Sequence, residues 1–527
     1  MNYADLFRVT LPETALEVAA LVVLIVDLGF LRKAALKVRV AVAALFGVAG
    51  CGAALWALHF VAESPGVWGF GHDATRELLL INKYYSGAAQ SGILVLTALT
   101  LLLMIGSDFT QHVGEYVAVV LMAASGGLLV AAAQDLLVIF VGLELLSLGL
   151  YILTAFAKNS GKSAEAALKY YLFGGMSAAF LLFGFSYLYG LSGSTNLLRI
   201  QSALAIAGPS PLFYVAWILI IAGLGFKVAA VPFHLWAPDT YQGAPAPAAA
   251  FIASVSKVAS FALLLTLCLN WLMPGFFVSP VSRNLYLRLF YLTWPQLGVI
   301  LLLVAAASMV VGNLAALAQV SVRRLLAYSA IAHAGYILLG VATYPRYSEL
   351  SDPFEFSMTT LCSALMNANA VVYYVLTYGL TTIGAFGVVS VVERATGSDR
   401  LDSFLGLHKR NPLLAAVLLV LFLSLAGIPP LVGFWAKFNL FAAVLGVSAG
   451  PVPFALVAMA VAMSAVSLYY YLQVLKRAYV MPAIDETPIK AHPVTLAVLV
   501  AIAAAVVVLG CFPALLQGWI ESFYPIL

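Results

Sequence analysis

Stretches of about 20 consecutive apolar residues recur along the whole chain, and they limit its possible folds more than any other feature. A helix of that length crosses the roughly 30 Å hydrocarbon core of a bilayer. Of the 527 residues, 63% are hydrophobic and 9% are charged, whereas soluble proteins carry about 25% charged residues. With so few charges, the chain cannot cover a water-facing surface. The sequence therefore predicts an all-α polytopic membrane protein.

We predict about fourteen transmembrane helices, numbered as spans 1 to 14 in chain order. Most are bounded by charged residues or by clusters of Gly, Pro and Asn. The predicted spans are 14–31, 38–62, 87–106, 115–134, 136–157, 168–191, 212–237, 246–271, 292–318, 324–343, 364–392, 412–441, 452–478 and 493–515.

The distribution of basic residues predicts the orientation, because Lys and Arg accumulate in cytoplasmic loops. Loops that follow odd-numbered spans hold 15 of the 26 basic residues, and the other side holds seven. Both termini are therefore expected to face outward, away from the cytoplasm. The remaining four basic residues lie within predicted spans: Lys169, Lys227, Lys257 and Lys437.

Span 7 combines a charge with a helix break in the stretch GFKVAAVPFHLWAPDTYQGAP. Lys227 lies in an apolar run, and Pro232 follows five residues later. Proline removes a backbone donor and clashes with the preceding turn, so we expect the helix to break there. Broken backbone at membrane depth is tolerated where it is covered by protein or lines a wet cavity. A lysine at that depth usually marks an ion or proton path.

A second stretch, LAGIPPLVGFWAKF in span 12, repeats this combination with Pro429, Pro430 and Lys437. It lies five spans after the first break, and an odd offset gives two related units opposite orientations in the membrane. We therefore expect two inverted five-helix repeats with broken helices 7 and 12. The predicted regions are helices 1–3 over 1–114, spans 4–8 over 115–271, spans 9–13 over 272–480, and the last helix over 481–527.

Glu144 in span 5 has no other charge for eight residues before it and thirteen after. A nearby lysine would allow both groups to stay ionised. Lys257 lies among small residues that let helices approach closely, and Lys169 opens span 6. Any one of these charges could form a structural ion pair, but the whole set favours a transport role. His234 and His333 fit either packing or a proton relay, and we interpret Tyr469, Tyr470 and Tyr471 as packing or interfacial residues.

Several kinds of site have no support in the sequence. The four cysteines are far apart and form no CxxC pair, which argues against disulfides and metal ligation. The chain contains no P-loop and no dinucleotide-binding fingerprint. A net charge of +4 and the lack of a basic patch give no indication of nucleic-acid binding. We therefore expect no cofactor and no metal on this chain.

These stretches closely resemble the antiporter-like membrane subunits of respiratory complex I, the proton-pumping NADH–quinone oxidoreductase. The resemblance covers much of residues 115–480, and among the large paralogues the chain is most similar to the subunit N branch. The matching stretches are GLELLSLGLYIL, SAEAALKYYLFGGMSAAFLLFG, GFKVAAVPFHLWAPDTYQGAPAP, SKVASF, RRLLAYSAIAHAGY, GAFGVV and LAGIPPLVGFWAKF.

The resemblance implies a proton relay with a role for each charged residue. Glu144 is the span-5 carboxylate that modulates Lys227, with Lys169 as an accessory lysine beside that pair. Lys257 is the central relay lysine and Lys437 the terminal one. The implied partners are other membrane subunits, the small subunit K and the antiporter-like subunit M, within the lipid bilayer. FMN, iron–sulfur clusters and quinone are expected on other subunits.

Three other functions compete with a complex I subunit. A subunit of a multi-subunit Na⁺/H⁺ antiporter or of a membrane-bound hydrogenase shares the Glu–Lys pattern. A stand-alone solute symporter would need an organic-substrate pocket, which nothing in the sequence indicates. A purely structural membrane subunit with vestigial charges is the fourth possibility.

Overall fold

A computed structural model describes residues 7–63, 69–70, 77–78, 85–208, 210–272, 280–343, 358–447, 450–483 and 487–523. Two-residue strands β1 (Gly69–Phe70) and β2 (Glu77–Leu78) form an antiparallel pair. The helices are α1 Leu11–Ile25, α2 Leu36–Glu63, α3 Tyr85–Met104, α4 Val113–Ala132, α5 Leu136–Thr154, α6 Gly161–Ser192, α7 Leu197–Ala207, α8 Pro211–Val228, α9 Trp236–Gly243, α10 Ala246–Leu272, α11 Pro280–Leu317, α12 Val322–Ala342, α13 Met358–Thr396, α14 Leu407–Arg410, α15 Pro412–Ala426, α16 Val432–Val447, α17 Pro451–Tyr479, α18 Pro493–Cys511 and α19 Pro513–Glu521.

Within the described residues, twelve helices are long and apolar enough to cross a membrane. They correspond to every predicted span except 1 and 12. Span 1 corresponds to α1, which has 15 residues and continues into a π-helical turn at Val26–Phe30. Span 12 is divided between α15 and α16. The predicted all-α polytopic membrane fold is confirmed.

Two helix edges differ clearly from the prediction. Helices α11 and α13 begin at Pro280 and Met358, whereas the apolar runs of spans 9 and 11 begin near residues 292 and 364. The segments 280–291 and 358–363 are thus helical although they are less apolar than the predicted spans they precede. Hydropathy predicts where a helix is buried in a membrane, and a helix can extend beyond that depth.

Non-helical backbone interrupts the course of spans 7 and 12. Residues 229–235 separate α8 from α9, and residues 427–431 separate α15 from α16. Pro232 lies in the first gap, and Pro429 and Pro430 lie in the second. The first residue of each gap has left-handed backbone, with φ of 59° at Ala229 and 89° at Gly427. At both breaks the chain therefore leaves the preceding helix through a left-handed C-terminal cap.

One arrangement of backbone hydrogen bonds occurs twice in the chain. The segment before α5 forms an antiparallel bridge with the segment before α7, and the segment before α12 does so with the segment before a 3-10 turn at Leu401–Phe404. Each bridge contains the N-cap of its long helix. Asp135 accepts a hydrogen bond from Thr195 at 2.6 Å, and Ser321 donates one to Asp399. The bridges hold α5 and α12 in similar local surroundings.

The helices that carry the central charged residues also form the core of the bundle. Helices α10, α12 and α13 are buried along nearly their whole apolar length, whereas α6 and α17 expose most of theirs. Glycines allow close packing of α4 on α5 and of α11 on α12. A Cβ at Gly126 would lie 2.6 Å from the Leu146 backbone nitrogen, and one at Gly312 would lie 2.6 Å from that of Ala332.

Candidate functional site

The last turn of α8 carries Lys227, whose side chain is almost completely buried. Its exposed fraction is 6%, and its Nζ donates a hydrogen bond of 2.5 Å to Ser147 Oγ on α5. In the turn that follows, the Val231 amide donates to Ser308 Oγ on α11 at 2.9 Å. The break therefore places an ammonium group against α5, while a neighbouring helix satisfies freed backbone.

Glu144 lies on the same helix as the serine that binds Lys227. Residues three apart in a helix are neighbours on its surface, so Glu144 and Ser147 share one face of α5. Glu144 is partly buried, and its charge acts on Lys227 electrostatically. The hydrogen bond from Lys227 goes to Ser147, which itself donates to the Leu143 carbonyl at 2.5 Å. The carboxylate and the ammonium group thus interact through space, and the hydroxyl that accepts from Lys227 lies on the same helix face as Glu144.

Lys257 is the most deeply buried of the four lysines, with an exposed fraction of 2%. Helix α10 directs its side chain toward α12, where Nζ donates to the Ala330 carbonyl. The ammonium group also lies 5.5 Å from the ring centroid of Tyr378 on α13, a cation–π distance. A carbonyl and an aromatic face partly replace the water that this charge would otherwise bind.

His333 lies on α12 between two of the lysines. Both Lys257 and Lys437 act on it electrostatically. Its Nδ1 is 2.9 Å from the Tyr374 hydroxyl, and its Nε2 is 3.5 Å from the Tyr471 hydroxyl. Both ring nitrogens thus face a hydroxyl group that can either donate or accept, so the imidazole can hold its proton on either side.

Lys437 lies in the second turn of α16, beyond the second break, and its side chain points back toward the end of α15. Its Nζ donates to the carbonyls of Leu425 and Ala426 at 3.1 and 2.9 Å, and to Ser464 Oγ on α17 at 2.8 Å. The last carbonyls of a helix have no intrahelical partner and carry partial negative charge. The ammonium group therefore serves as a cap for the first half of the broken helix.

A cavity of about 10 Å³ lies between His333 and the second break. This is about the space of one water molecule, which also needs two to four polar partners. Polar side chains on one side of it belong to His333, Tyr374, Thr377, Tyr378, Thr381 and Ser424, but the exposed lining is almost entirely apolar and includes Leu425, Gly433 and Ala436. The cavity therefore adjoins both His333 and the end of α15, but it offers few polar partners to a water molecule.

Lys169 lies in a different cluster, in the third turn of α6. Its Nζ is 2.7 Å from Glu165 and 2.7 Å from Asp239 Oδ2 on α9, and its side chain is 40% exposed. Arg324 Nη1 on α12 lies 2.5 Å from the other Asp239 oxygen. The contacts of this lysine are thus with Glu165 and Asp239, and its role as an accessory relay lysine remains a prediction.

Asp239 is shared by two cations from different helices. Burial raises the pKa of its carboxyl, but the hydrogen bonds from Lys169 and Arg324 lower it, and the balance leaves the pKa below the ordinary value. The carboxylate therefore stays ionised at neutral pH and accepts hydrogen bonds from Lys169 and Arg324 at the same time.

His234 lies in the turn between α8 and α9 and is partly buried. Its Nδ1 has no hydrogen-bond partner among the described residues. Of the two histidines considered for a relay, His333 is the one that lies within electrostatic reach of Lys257 and Lys437. A role for His234 remains a prediction.

The hydroxyl groups around the lysines were not assigned a role from sequence. Tyr471 was interpreted as a packing residue, yet its hydroxyl contacts both His333 and Ser329. A signal was present in α13, where Tyr374, Thr377, Tyr378 and Thr381 recur at helical spacing and form one polar face. Ser147 and Ser464 gave no such signal, because single serines are common in membrane helices.

Neither the cysteines nor the acidic and histidine residues form a metal centre in the described part of the chain. No group of three or more His, Cys, Asp or Glu residues there could hold a metal ion. Cys51, Cys268 and Cys511 are free thiols.

The fold and the site define a polytopic membrane protein with ionisable groups in its interior, a class in which such groups mark ion or proton paths. Residues 133–465 match the family described as NADH:quinone oxidoreductase/Mrp antiporter, TM. The chain belongs to this family. It is 46% identical to NADH-quinone oxidoreductase subunit N 2 of Acidobacterium capsulatum, over 99% of both chains. It is 42% identical to subunit N 1 of Roseiflexus castenholzii, over 86% of this chain and 80% of that relative.

Solved structures show the same fold. A chain of respiratory complex I from Thermus thermophilus, solved with bound aureothin, is 32% identical and has a TM-score of 0.71, covering 96% of this chain and 98% of that one. A chain of the Mrp complex from Dietzia sp. DQ12-45-1b has a TM-score of 0.74 over 97% of this chain and 96% of that one. At 20% identity this second match shows the fold alone.

Proposed function

We propose that this chain is the membrane subunit N of an NADH-quinone oxidoreductase and carries protons across the membrane. The relatives named subunit N support the assignment to that enzyme. The single observation that supports a relay most strongly is the position of His333, which lies within electrostatic reach of Lys257 and Lys437 and has a hydroxyl at each ring nitrogen. Structural ion pairs alone would not require an imidazole between two lysines.

In the proposed relay, Lys227 passes a proton through hydrated side chains to Lys257. From there the proton reaches Lys437 by way of His333 and its hydroxyl neighbours, and it is released outward. Each acceptor has a hydrogen-bonding group that remains when its proton leaves: Ser147 for Lys227, and the helix-end carbonyls with Ser464 for Lys437. Lys169 is proposed as an accessory group in the third turn of α6.

Glu144 would control the first step. Its charge acts on Lys227, and in a low-dielectric interior that interaction changes strongly with distance. A change of one pKa unit corresponds to about 1.4 kcal/mol, so a small displacement of the carboxylate changes the proton affinity of the lysine substantially. Redox chemistry elsewhere in the enzyme would cause that displacement.

We also propose that residues 115–271 and 272–480 form two inverted repeats, flanked by regions 1–114 and 481–527. The two similar bridges, at Asp135 and at Ser321, support this division because they begin helices five spans apart. The distribution of basic residues supports termini on the periplasmic side of the inner membrane. The proposed partners are subunits K and M, with FMN, iron–sulfur clusters and quinone on other subunits.

The decisive experiment replaces Lys227 by alanine in the assembled enzyme in its native membrane. We expect NADH–quinone turnover and proton pumping to fall together by at least about tenfold, since a positioned proton-transfer group contributes about 10²-fold or more. The matched control is Lys490→Ala, which removes an exposed lysine in a loop. Subunit content on a native gel shows whether each variant assembles.

If pumping by the assembled Lys227→Ala enzyme equals that of the control, the relay proposal is wrong. If the variant does not assemble, Lys227→Arg retains the charge and provides the test. Arginine keeps its proton under all relevant conditions, so a relay lysine is expected to lose function on this change, whereas a purely structural charge would not.

A second candidate is a subunit of a multi-subunit Na⁺/H⁺ antiporter. The matched family includes Mrp antiporters, and the Mrp chain from Dietzia shares the fold. The cation dependence of pumping separates the two functions. An antiporter subunit requires Na⁺ for proton movement, whereas the oxidoreductase subunit pumps in sodium-free buffer when NADH and quinone are supplied.

A further inference from the structure

The short helix α9 connects the first break to the rest of the molecule. Seven residues of non-helical backbone join it to α8, so its position is not set by a continuous helix. At its other end only two residues separate it from α10, so its position depends on that short connection and on its contacts with α6 and α12. Each of these two helices contacts α9 through a basic residue and a neighbouring residue in the chain.

On one side, α6 contributes Lys169 and Tyr170. Lys169 donates to Asp239 at 2.7 Å. The ring of Tyr170 stacks on Trp236, with centroids 4.3 Å apart and planes within 5° of parallel. Trp236 is itself fixed to the end of α8, because its Nε1 donates to the Phe226 carbonyl at 3.0 Å.

On the other side, α12 contributes Arg323 and Arg324. Arg324 donates to Asp239 at 2.5 Å. Arg323 donates to the carbonyls of Gln242 and Ala244, at 3.2 and 2.7 Å, and these lie at the C-terminal end of α9. Positive charge at that end interacts favourably with the helix dipole. Asp239 is the one residue of α9 that binds a basic side chain from both neighbouring helices.

Helix α12 also carries the groups that contact the central lysine. Ala330 accepts the hydrogen bond of Lys257, and His333 follows one turn later. The position of α9 is therefore mechanically linked at one end to the break beside Lys227 and at the other to the helix that contains His333.

We propose that Asp239, bound by Lys169 and Arg324, is a positioning residue that clamps α9 between α6 and α12 and so couples the Lys227 site to the Lys257–His333 site. This inference rests on the proposed relay for its functional meaning. It gives Asp239 and Arg324 a part in proton translocation although neither lies on the path of the proton. It also gives Lys169 a second role, as an anchor of α9.

Asp239→Asn in the assembled enzyme tests the clamp, because the amide has nearly the same shape but no charge. We expect the backbone amides of Trp236–Gly243, other than Pro238, to exchange with deuterium about fivefold faster, the change expected for the loss of one partly exposed ion-pair network. Pumping per NADH oxidised should fall by about the same factor. Asp239→Glu, which restores the charge, should recover most of both properties.

The matched control is Asp402→Asn, which removes another carboxylate that faces an arginine, Arg477, at 3.8 Å but does not contact α9. If the amides of α9 exchange at the wild-type rate in Asp239→Asn, the clamp proposal is wrong. It is also wrong if their exchange rate rises equally in Asp402→Asn. If Asp239→Asn does not assemble, Arg324→Gln is read by the same exchange measurement. If α9 loosens in Asp239→Asn while Lys227→Ala pumps normally, the clamp holds and the proposed relay fails.

Discussion

The two helix breaks have similar backbones but hold their lysines in opposite ways. Lys227 precedes its break and donates to Ser147, a side chain of another helix, near the carboxylate of Glu144. Lys437 follows its break and donates to two carbonyls of its own broken helix as well as to Ser464. The first lysine therefore depends on a neighbouring helix, and the second depends mainly on its own.

This difference suggests different roles at the two breaks. A charge that is stabilised by a separate helix changes its environment when that helix moves, whereas backbone carbonyls at a helix end stay where the helix holds them. Lys227 is thus suited to receive a signal through Glu144. Lys437 is suited to provide a constant final position for the proton before its release.

The largest expected effects come from replacing Lys227 and Lys437 in separate variants, each once by glutamine and once by methionine. All four variants lose the charge, so pumping should fall at least about tenfold in each. The difference in stability between the methionine and glutamine variants should distinguish the two breaks. Lys437→Met leaves the Leu425 carbonyl without its ammonium donor, at about 1–3 kcal/mol for one unsatisfied group, and leaves the Ala426 carbonyl with only the Ser464 hydroxyl, at 3.5 Å. Lys437→Gln retains a donor. Thermal unfolding of the assembled enzyme measures the difference.

At the first break the two substitutions should be nearly equivalent in stability. When Lys227 is lost, Ser147 keeps its hydrogen bond to the Leu143 carbonyl, so no buried acceptor is left without a partner. If Lys227→Met is less stable than Lys227→Gln by as much as the Lys437 pair differs, the two lysines have equivalent structural roles and the comparison is wrong.

A smaller effect is expected from removing the serine at each site. Ser147→Ala removes the hydrogen bond of Lys227, and bonds to charged groups contribute about 1.5–3 kcal/mol, so pumping should fall about tenfold. Ser464→Ala leaves Lys437 with two carbonyl acceptors and should reduce pumping less than about threefold. The control is Ser186→Ala, since Ser186 is an exposed serine of α6 that donates only to its own helix. Equal losses in Ser147→Ala and Ser464→Ala would contradict the difference between the sites.

The fold was largely predictable because the bilayer requires long apolar helices, and their length and composition are visible in the sequence. The charged residues were visible for the same reason, since Lys227, Lys257 and Lys437 stand out in apolar surroundings. The groups that lie between these lysines could not be identified from the sequence. His333 was one of two histidines with equal support, and only the packing of α12 between α10 and α13 places it beside Lys257.

Asp239 shows a different limit of the sequence. It lies among polar and small residues at the end of a predicted span, where a single carboxylate is ordinary. Its partners Lys169 and Arg324 are 70 and 85 residues away in the chain. Pairings over such separations depend on the packing of helices and leave no local pattern. The sequence therefore predicted the charges that lie inside the membrane better than those at its edge.

The smallest expected effect concerns the left-handed residue that ends the first half of each broken helix. The first break uses Ala229 and the second uses Gly427. Left-handed backbone costs an L-residue about 1–2 kcal/mol relative to glycine, and part of this is offset because alanine restricts the unfolded chain. We expect Gly427→Ala to lower the free energy of unfolding by about 1 kcal/mol. Ala229→Gly should change it little, because the relief of backbone strain is offset by the loss of a buried methyl group, which contributes about 0.8 kcal/mol.

Function should separate Gly427 from other left-handed glycines. A Cβ at residue 427 would lie 3.0 Å from Lys437 Cδ and 3.2 Å from its Nζ, so the lysine side chain must shift by a few tenths of an ångström, which disturbs its hydrogen bonds to the carbonyls it caps. Gly397 has φ of 73° and open space around its Cα, so Gly397→Ala carries the same backbone cost without touching a lysine. Both variants should lose similar stability, but only Gly427→Ala should reduce pumping, by about threefold for a weakened hydrogen bond. An equal loss of pumping in both variants would mean that backbone strain alone, and not the position of Lys437, limits proton transfer at the second break.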